Sequence, residues 1–568
     1  MHRILKNVFY LIALFIMVVL RAQETTFTNP ILPGSYPDPS ICRVGNDFYI
    51  VNSSFEYFPG LPIHHSTDLV NWNLVGYGLH RENQCNGLMN LLDVQSDGGI
   101  HAPTIRYNKG LFYIITTNVY SPPNGGPAKM VNFIITSNNI RGPWSDPHII
   151  EGAPGIDPDI FFEGDRAYFI GTHKPNEPNE NGIGEIWIQE LDLKDWELKG
   201  DRYSVWKGAC GGCCVEGPHI YKENNMYYLM VAEGGTGLHH AVMIAASKNL
   251  FGPYESNPRN PILTSRHLSN TNWVHSTGHA DMVKLADDRW YMVALGKRND
   301  LNGSSNMGRE THLMPIIWEP ATMRWEEVRP TVWEPVDYLF PVVAPSSGKV
   351  ERNNSLPFDG KYQLMVEKYY DGFDDEYLDL KWNFRRVPLS GTYSLTDRPG
   401  YLRMFSNSNT LKDRAQCSLI GLRQTESDFE YVVNMEFNPT YPTSESGICI
   451  FQKDDYYISC TIKKNKKKVY LNVLLKQPKR GPVEMKTIRL KSYKKNIIFK
   501  ITSKKDNYTY FYSIDNGETF EKYLETSADK ILCKGYTGAY LGVYITSNGN
   551  DTDDYADFDW VNYTGFPR

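Results

Sequence analysis

The sequence predicts an all-β protein, a five-bladed β-propeller followed by a β-sandwich. Three observations carry this expectation. A strand–turn–strand phrase recurs five times in the first part of the chain. Helix-length amphipathic stretches are absent, and the rest of the chain reads as short alternating strands. At 568 residues the chain is also too long for one ordinary core.

In chain order, the N-terminus has a meaning of its own. Arg3 and Lys6 precede the apolar run "VFYLIALFIMVVL" at 8–20. That run is too short to span a bilayer and suits a secretory signal, residues 1–22, cleaved after Ala22. The mature chain is therefore expected to be exported, periplasmic or extracellular, and not inserted in a membrane once the signal is cleaved.

The repeats fill residues 25–345. Pro39 leads to Tyr49 in "YPDPSICRVGNDFYI", Pro103 to Tyr113 in "IHAPTIRYNKGLFYI", and Pro158 to Tyr168 in "GIDPDIFFEGDRAYFI". Pro218 leads to Tyr228 in "VEGPHIYKENNMYYL", and Asp281 takes the proline's place before Tyr291 in "TGHADMVKLADDRWYM". Each phrase is a hairpin: a strand, a polar turn, and a second strand rich in Tyr and β-branched residues. The tyrosines fall 64, 55, 60 and 63 residues apart, the periodicity of propeller blades. "STDLVNW", "SNNIRGPWS", "LDLKDWEL" and "SKNLFGPYE" read as late-blade turns whose aromatic rings pack between blades.

A Pro-, Ser- and Asn-rich passage includes the linker, 346–367. From 368 to 568 short alternating runs indicate the sandwich, with "KKNKKK" at 463–468 as a solvated hairpin turn. Nine cysteines form no regular framework. "CGGCC" at 210–214 lacks a second ligand pair for zinc and reads as a Gly-rich turn with one disulfide. A net charge of −6 without a basic block argues against nucleic acid as a partner, whereas 37 Tyr and 12 Trp suit stacking on sugar rings.

Equivalent positions of the innermost strands meet at the mouth of a propeller. The residue before the proline is Asp38 in the first repeat and Asp157 in the third; two before it stand His101, Glu216 and His279. The repeat thus brings two Asp, one Glu and two His into one small volume, provided that strand ends or bulges turn adjacent side chains the same way. Crowded carboxylates raise one another's pKa, and a protonated carboxyl facing an ionised one is what glycosidic hydrolysis requires. The same cluster suits a divalent cation, and any single acid suits a turn cap.

At these residues the chain resembles glycoside hydrolase family 43. The resemblance lies in "NPILPGSYPDPSI", "GIDPDIFF" and "VEGPHIYK", supported by "SSFEYFPGLPIHHSTDLVNW", "HAPTIRY", "VAEGGTG", "GHADMV" and "GRETHL". The C-terminal part looks like the concanavalin-like jelly roll of the β-xylosidase-type members. The resemblance implies an inverting, exo-acting hydrolase that releases terminal β-D-xylose or α-L-arabinofuranose from plant-type oligo- or polysaccharides. An endo-arabinanase and a non-catalytic carbohydrate-binding protein are the alternatives. It further implies Asp38 as general base, Glu216 as general acid, and Asp157 as the carboxylate that tunes and orients the acid. Asp159 is left to the turn or strand end. Phe55, Thr236, Arg309 and His279 match substrate-binding positions, and His101, counted with them as substrate-binding, stands where many members have Trp. No cofactor is needed for the chemistry. A structural Ca²⁺ shared by "YYDGFDDEYLDLKW" (369–382) and "DDYADFDWVNY" (553–563) is a further expectation.

Overall fold

A computed structural model describes residues 26–173, 184–211, 213–301, 303–321, 339–360, 362, 364, 366–533 and 535–568. The signal segment 1–22 lies outside the described residues. Five antiparallel sheets each draw their strands from one contiguous stretch of chain. Their innermost hairpins are Ser40–Val44 with Asp47–Val51, Gly99–Asn108 with Leu111–Tyr120, Ile156–Glu163 with Arg166–His173, Glu216–Glu223 with Met226–Glu233, and Val274–Lys284 with Trp290–Arg298. The first strand of each hairpin touches its counterparts in the two neighbouring sheets, and the fifth touches the first, so the ring closes. These are the five blades of a propeller.

Period-two geometry explains why the second strand of each hairpin is apolar on both faces. In the fourth blade, Tyr227 and Leu229 pack against Tyr168 and Ile170 of the third. The alternate residues Tyr228 and Met230 pack against Met282 and Met292 of the fifth. The late-blade turns repeat one contact. Trp72, Trp144 and Tyr254 each donate to a carbonyl three or four residues back, on Leu69, Ile140 and Leu250.

The remainder is a sandwich of two antiparallel sheets. One runs Val483–Leu490, Lys468–Lys476, Tyr456–Asn465, Glu445–Lys453, Tyr540–Thr546, Ser418–Arg423 and Asn383–Arg385. The other is built around Tyr555–Phe566, with Asp428–Phe437 and Leu402–Phe405 on either side. The lysine-rich hairpin closes at the Asn465–Lys468 pair.

The two bodies share strands. Tyr57–Phe58 of the propeller chain pair with Asn383–Arg385 and extend the first sandwich sheet. The Tyr57 ring stacks on Tyr540 at 3.9 Å. Within 346–367, Asn353–Ser355 pair with Thr26–Thr28. Gly308 approaches Gly538 so closely that a Cβ on it would stand 2.6 Å from the Gly538 nitrogen. Arg298 of the propeller joins Glu310 and the sandwich's Glu426 at 2.6–2.7 Å.

Two expectations on cysteine and acid chemistry meet side chains here. No disulfide forms among the nine cysteines, which corrects the reading of the "CGGCC" turn. Its Cys213 and Cys214 thiols lie 3.0 Å apart, while the Glu233 carboxylate holds the turn through the Ala209 and Cys210 N–H groups. In the acid-rich segments, Asp371 accepts from the Trp382 indole and Asp557 is paired with Arg398 and Arg403. Among the described residues, no three His, Cys, Asp or Glu side chains gather as a metal site.

Candidate active site

The bulges that the sequence reading had to assume are present in the innermost strands. Pairing slips between Ile156 and Asp159, between Glu216 and His219, and between His101 and Thr104. The residue before the proline has a left-handed backbone each time: Asp38 at φ 50°, Ala102 at 38°, Asp157 at 56° and Gly217 at 57°. Such a residue breaks the alternation of the strand, so neighbours that would face opposite ways turn toward the same mouth. Non-glycine residues in this region carry strain of about 1–3 kcal/mol each, which the surrounding sheet must over-determine. Gly217 has a second constraint: a Cβ there would stand 3.0 Å from the His279 ring.

The fifth blade corrects the gapless alignment. Its left-handed residue is His279, at φ 44°, one place earlier than the alignment puts it. Val293 pairs with Asp281, whereas Val51 and Ile170 pair with Ser40 and Asp159. The fifth hairpin is therefore one residue longer, and a wider turn between Lys284 and Trp290 absorbs it. Hence His279 is the structural counterpart of Asp38 and Asp157, and Asp281 is the counterpart of Asp159.

At the mouth, a cavity of about 250 Å³ is lined by Asp38, Asp157, Glu216, His101, His279, Thr236 and Arg309, together with Asp97 and Tyr536. Asp38 is held at both oxygens. Arg309 Nη1 donates to Oδ1 at 2.9 Å and the Ser53 hydroxyl to Oδ2 at 2.6 Å. Burial works to raise its pKa, but Arg309, His279, Ser53 and His101 together bring it below the usual carboxylate value. Glu216 has no such partner among the described residues. Burial and the Asp38 charge push it up to about 7, against the pull of Arg309. Burial, Glu216 and Asp38 raise Asp157 as well, although the Gly217 N–H is bonded to it. Both carboxyls are thus pushed toward the protonated form, Glu216 with its pKa near neutrality. His279 Nδ1 stands 4.0 Å from Asp38 Oδ1 and from Asp157 Oδ2; burial keeps its pKa down to about 4, so it is neutral there.

Asp159, expected at the turn or strand end, lies within the strand Ile156–Glu163, one layer deeper in the channel. Arg106 bonds there to Asp159 and Asp281, each at 2.8 Å, and the Ser40 hydroxyl donates to Asp281 at 2.7 Å. Phe55 does not line the cavity. It is 1% exposed and meets His101 edge-on at 4.9 Å, with Arg309 5.4 Å from its ring centre.

Sequence reasoning missed Tyr536, Asp97 and Ser53. Tyr536 belongs to the sandwich. Its carbonyl accepts from Arg309 Nε at 3.2 Å and its N–H donates to Asp97 at 2.8 Å, which brings the residue to the wall of the cavity with Arg309 4.9 Å from its ring centre. No repeat spacing points to it, because it lies outside the repeats. Ser53 follows the first hairpin, where a register argument anchored on the first strands does not look.

Comparisons with known proteins match both parts of the chain. A family model described as glycosyl hydrolases family 43 matches residues 27–322, and one described as a beta xylosidase C-terminal concanavalin A-like domain matches 370–564. A xylosidase/arabinosidase of Butyrivibrio fibrisolvens is 36% identical over 94% of this chain and 98% of its own. A non-reducing-end alpha-L-arabinofuranosidase of Bacteroides ovatus is 34% identical over 97% of each. Among solved structures, a xylan beta-1,4-xylosidase of Bacillus halodurans superposes with a TM-score of 0.84 at 28% identity, covering 95% of this chain and all of that one.

Proposed function

The chain belongs to glycosyl hydrolase family 43, and from that premise we propose that it releases a terminal pentose, β-D-xylose or α-L-arabinofuranose, with inversion at the anomeric carbon. The observation that carries the reading is the unequal sharing of one guanidinium among three carboxylates. Arg309 touches Asp38 and leaves Glu216 and Asp157 with raised pKa values. Asp38 then accepts a proton from water as that water attacks the anomeric carbon. Glu216 gives its proton to the departing glycosidic oxygen, so the leaving alcohol departs neutral. Asp157 raises the proton affinity of the pair and, through the Gly217 N–H, orients the strand that bears Glu216. Afterwards Asp38 loses its proton to solvent and Glu216 regains one.

Exo action is supported by the size of the cavity. A volume of about 250 Å³ bordered by Tyr536 suits one sugar unit and its leaving oxygen rather than an extended chain. The substrate is a carbohydrate, read here as the non-reducing end of a plant hemicellulose-type oligo- or polysaccharide. The apolar N-terminal run fits export to the periplasm or beyond, where such glycans are met. The chemistry uses no cofactor; a calcium ion near 369–382 and 553–563 would serve the sandwich.

The test is turnover of paired aryl β-D-xyloside and α-L-arabinofuranoside by the purified protein, with the first-formed anomer followed by NMR. Inverted product from one or both is expected. A retained anomer contradicts the single displacement, and turnover of neither contradicts the enzyme reading.

A further inference from the structure

We infer that His101 accepts a hydrogen bond from one hydroxyl of the bound sugar, and that Asp97 is the positioning residue through which the sandwich sets this up. The inference rests on the glycosidase reading above. His101 Nε2 lies 3.0 Å from the Asp97 carbonyl oxygen. A carbonyl only accepts, so Nε2 carries the proton. Burial keeps the ring's pKa at about 4, against Asp38 and with Arg309, so at neutral pH the other nitrogen, Nδ1, is a bare lone pair. No described residue donates to Nδ1, although the ring lines the cavity. Phe55 at 4.9 Å and Tyr536 at 6.0 Å meet the imidazole edge-on and fix its plane.

The tautomer depends on where the Asp97 carbonyl points, and Asp97 is tied at three places. Its N–H donates to Glu56 Oε2 at 3.2 Å, Oδ1 accepts from the Tyr536 N–H at 2.8 Å, and Oδ2 faces the Lys453 ammonium. Tyr536 and Lys453 both come from the sandwich, and Asp97 has a left-handed backbone at φ 61°. Beside Asp38, Arg309 Nη1 and the Ser53 hydroxyl donate to that carboxylate, and His279 stands 4.0 Å from it. His101 therefore offers an acceptor that singles out a hydroxyl hydrogen. An indole at this place would stack on the ring without distinguishing hydroxyls. Sites that hydrogen-bond a substrate hydroxyl discriminate strongly against analogues lacking it.

The experiment measures kcat/KM for aryl pentosides lacking one hydroxyl at a time, on the full chain and on His101→Phe, His101→Asn and Lys453→Met. On the parent sugar His101→Phe should lose about 10- to 100-fold. On one particular deoxy sugar it should lose nothing beyond what the parent enzyme loses. His101→Asn, whose amide oxygen can occupy the Nδ1 place, should recover part of the loss. Lys453→Met should weaken the preference for the same hydroxyl and no other. Equal losses by His101→Phe on every deoxy sugar would overturn the inference while leaving the glycosidase reading intact. Failure of the unaltered chain on both parent pentosides would remove the two together.

Discussion

Two layers of the propeller channel hold the same residue types two positions apart in the repeat, and they behave in opposite ways. In the deeper layer Arg106 touches both carboxylates, Asp159 and Asp281, and the Ser40 and Tyr221 hydroxyls add bonds to Asp281. Burial there is outweighed, and Asp281 is held far below the usual carboxylate range. At the mouth one guanidinium, Arg309, faces three carboxylates and touches one. The touched one is held low, while burial and repulsion raise the other two. The difference teaches that chemistry here is set by the ratio and reach of cations rather than by the presence of acids. A satisfied cluster ties blades together; an under-compensated cluster holds a proton that it can give away.

The comparison can be broken in three places. The largest effect is expected at the mouth. Asp38→Asn and Glu216→Gln should each lower kcat/KM by about 10²–10⁴-fold on alkyl glycosides. Glu216→Gln should lose much less on aryl glycosides with good leaving groups, which need little protonation. Equal losses on both substrates would refute Glu216 as the acid. In the deeper layer the effect should fall on stability instead. Arg106→Met leaves Asp159 and Asp281 buried without their partner and should cost about 3–5 kcal/mol in urea unfolding, with the alkaline limb of the rate profile unmoved. An unchanged midpoint would show that this layer is no clamp. The smallest effect is expected for Asp157→Asn. With that carboxylate gone Glu216 loses its proton more easily, so the alkaline limb should move about one unit toward lower pH. A limb that stays in place would make Asp157 structural.

Much of this was legible in the sequence because a propeller converts sequence period into spatial proximity. Asp38, Asp157 and Glu216 were found by register alone, and the need for bulges followed from their one-residue offsets. Register failed where the backbone departed from the period. The longer fifth hairpin shifted His279 and Asp281 by one place, and this hid both the kinship of His279 with Asp38 and the pairing of Asp281 with Arg106. The sequence leaves Asp159 to a turn or strand end because its surroundings look local, whereas its partner Arg106 lies in the neighbouring blade. Tyr536 and Lys453 were illegible for a different reason. They reach the mouth through the docking of a second body, which obeys no repeat.

The central claim is that Glu216 keeps its proton near neutrality while Asp38 stays ionised in acid. The pH dependence of kcat/KM on an alkyl pentoside with a poor leaving group measures both at once. Lowering of the Asp38 pKa by Arg309 predicts an acid limb below the usual carboxylate range, and the raised Glu216 pKa predicts a fall above about pH 7. A profile that stays flat through pH 9, or that loses activity below pH 6, would contradict it.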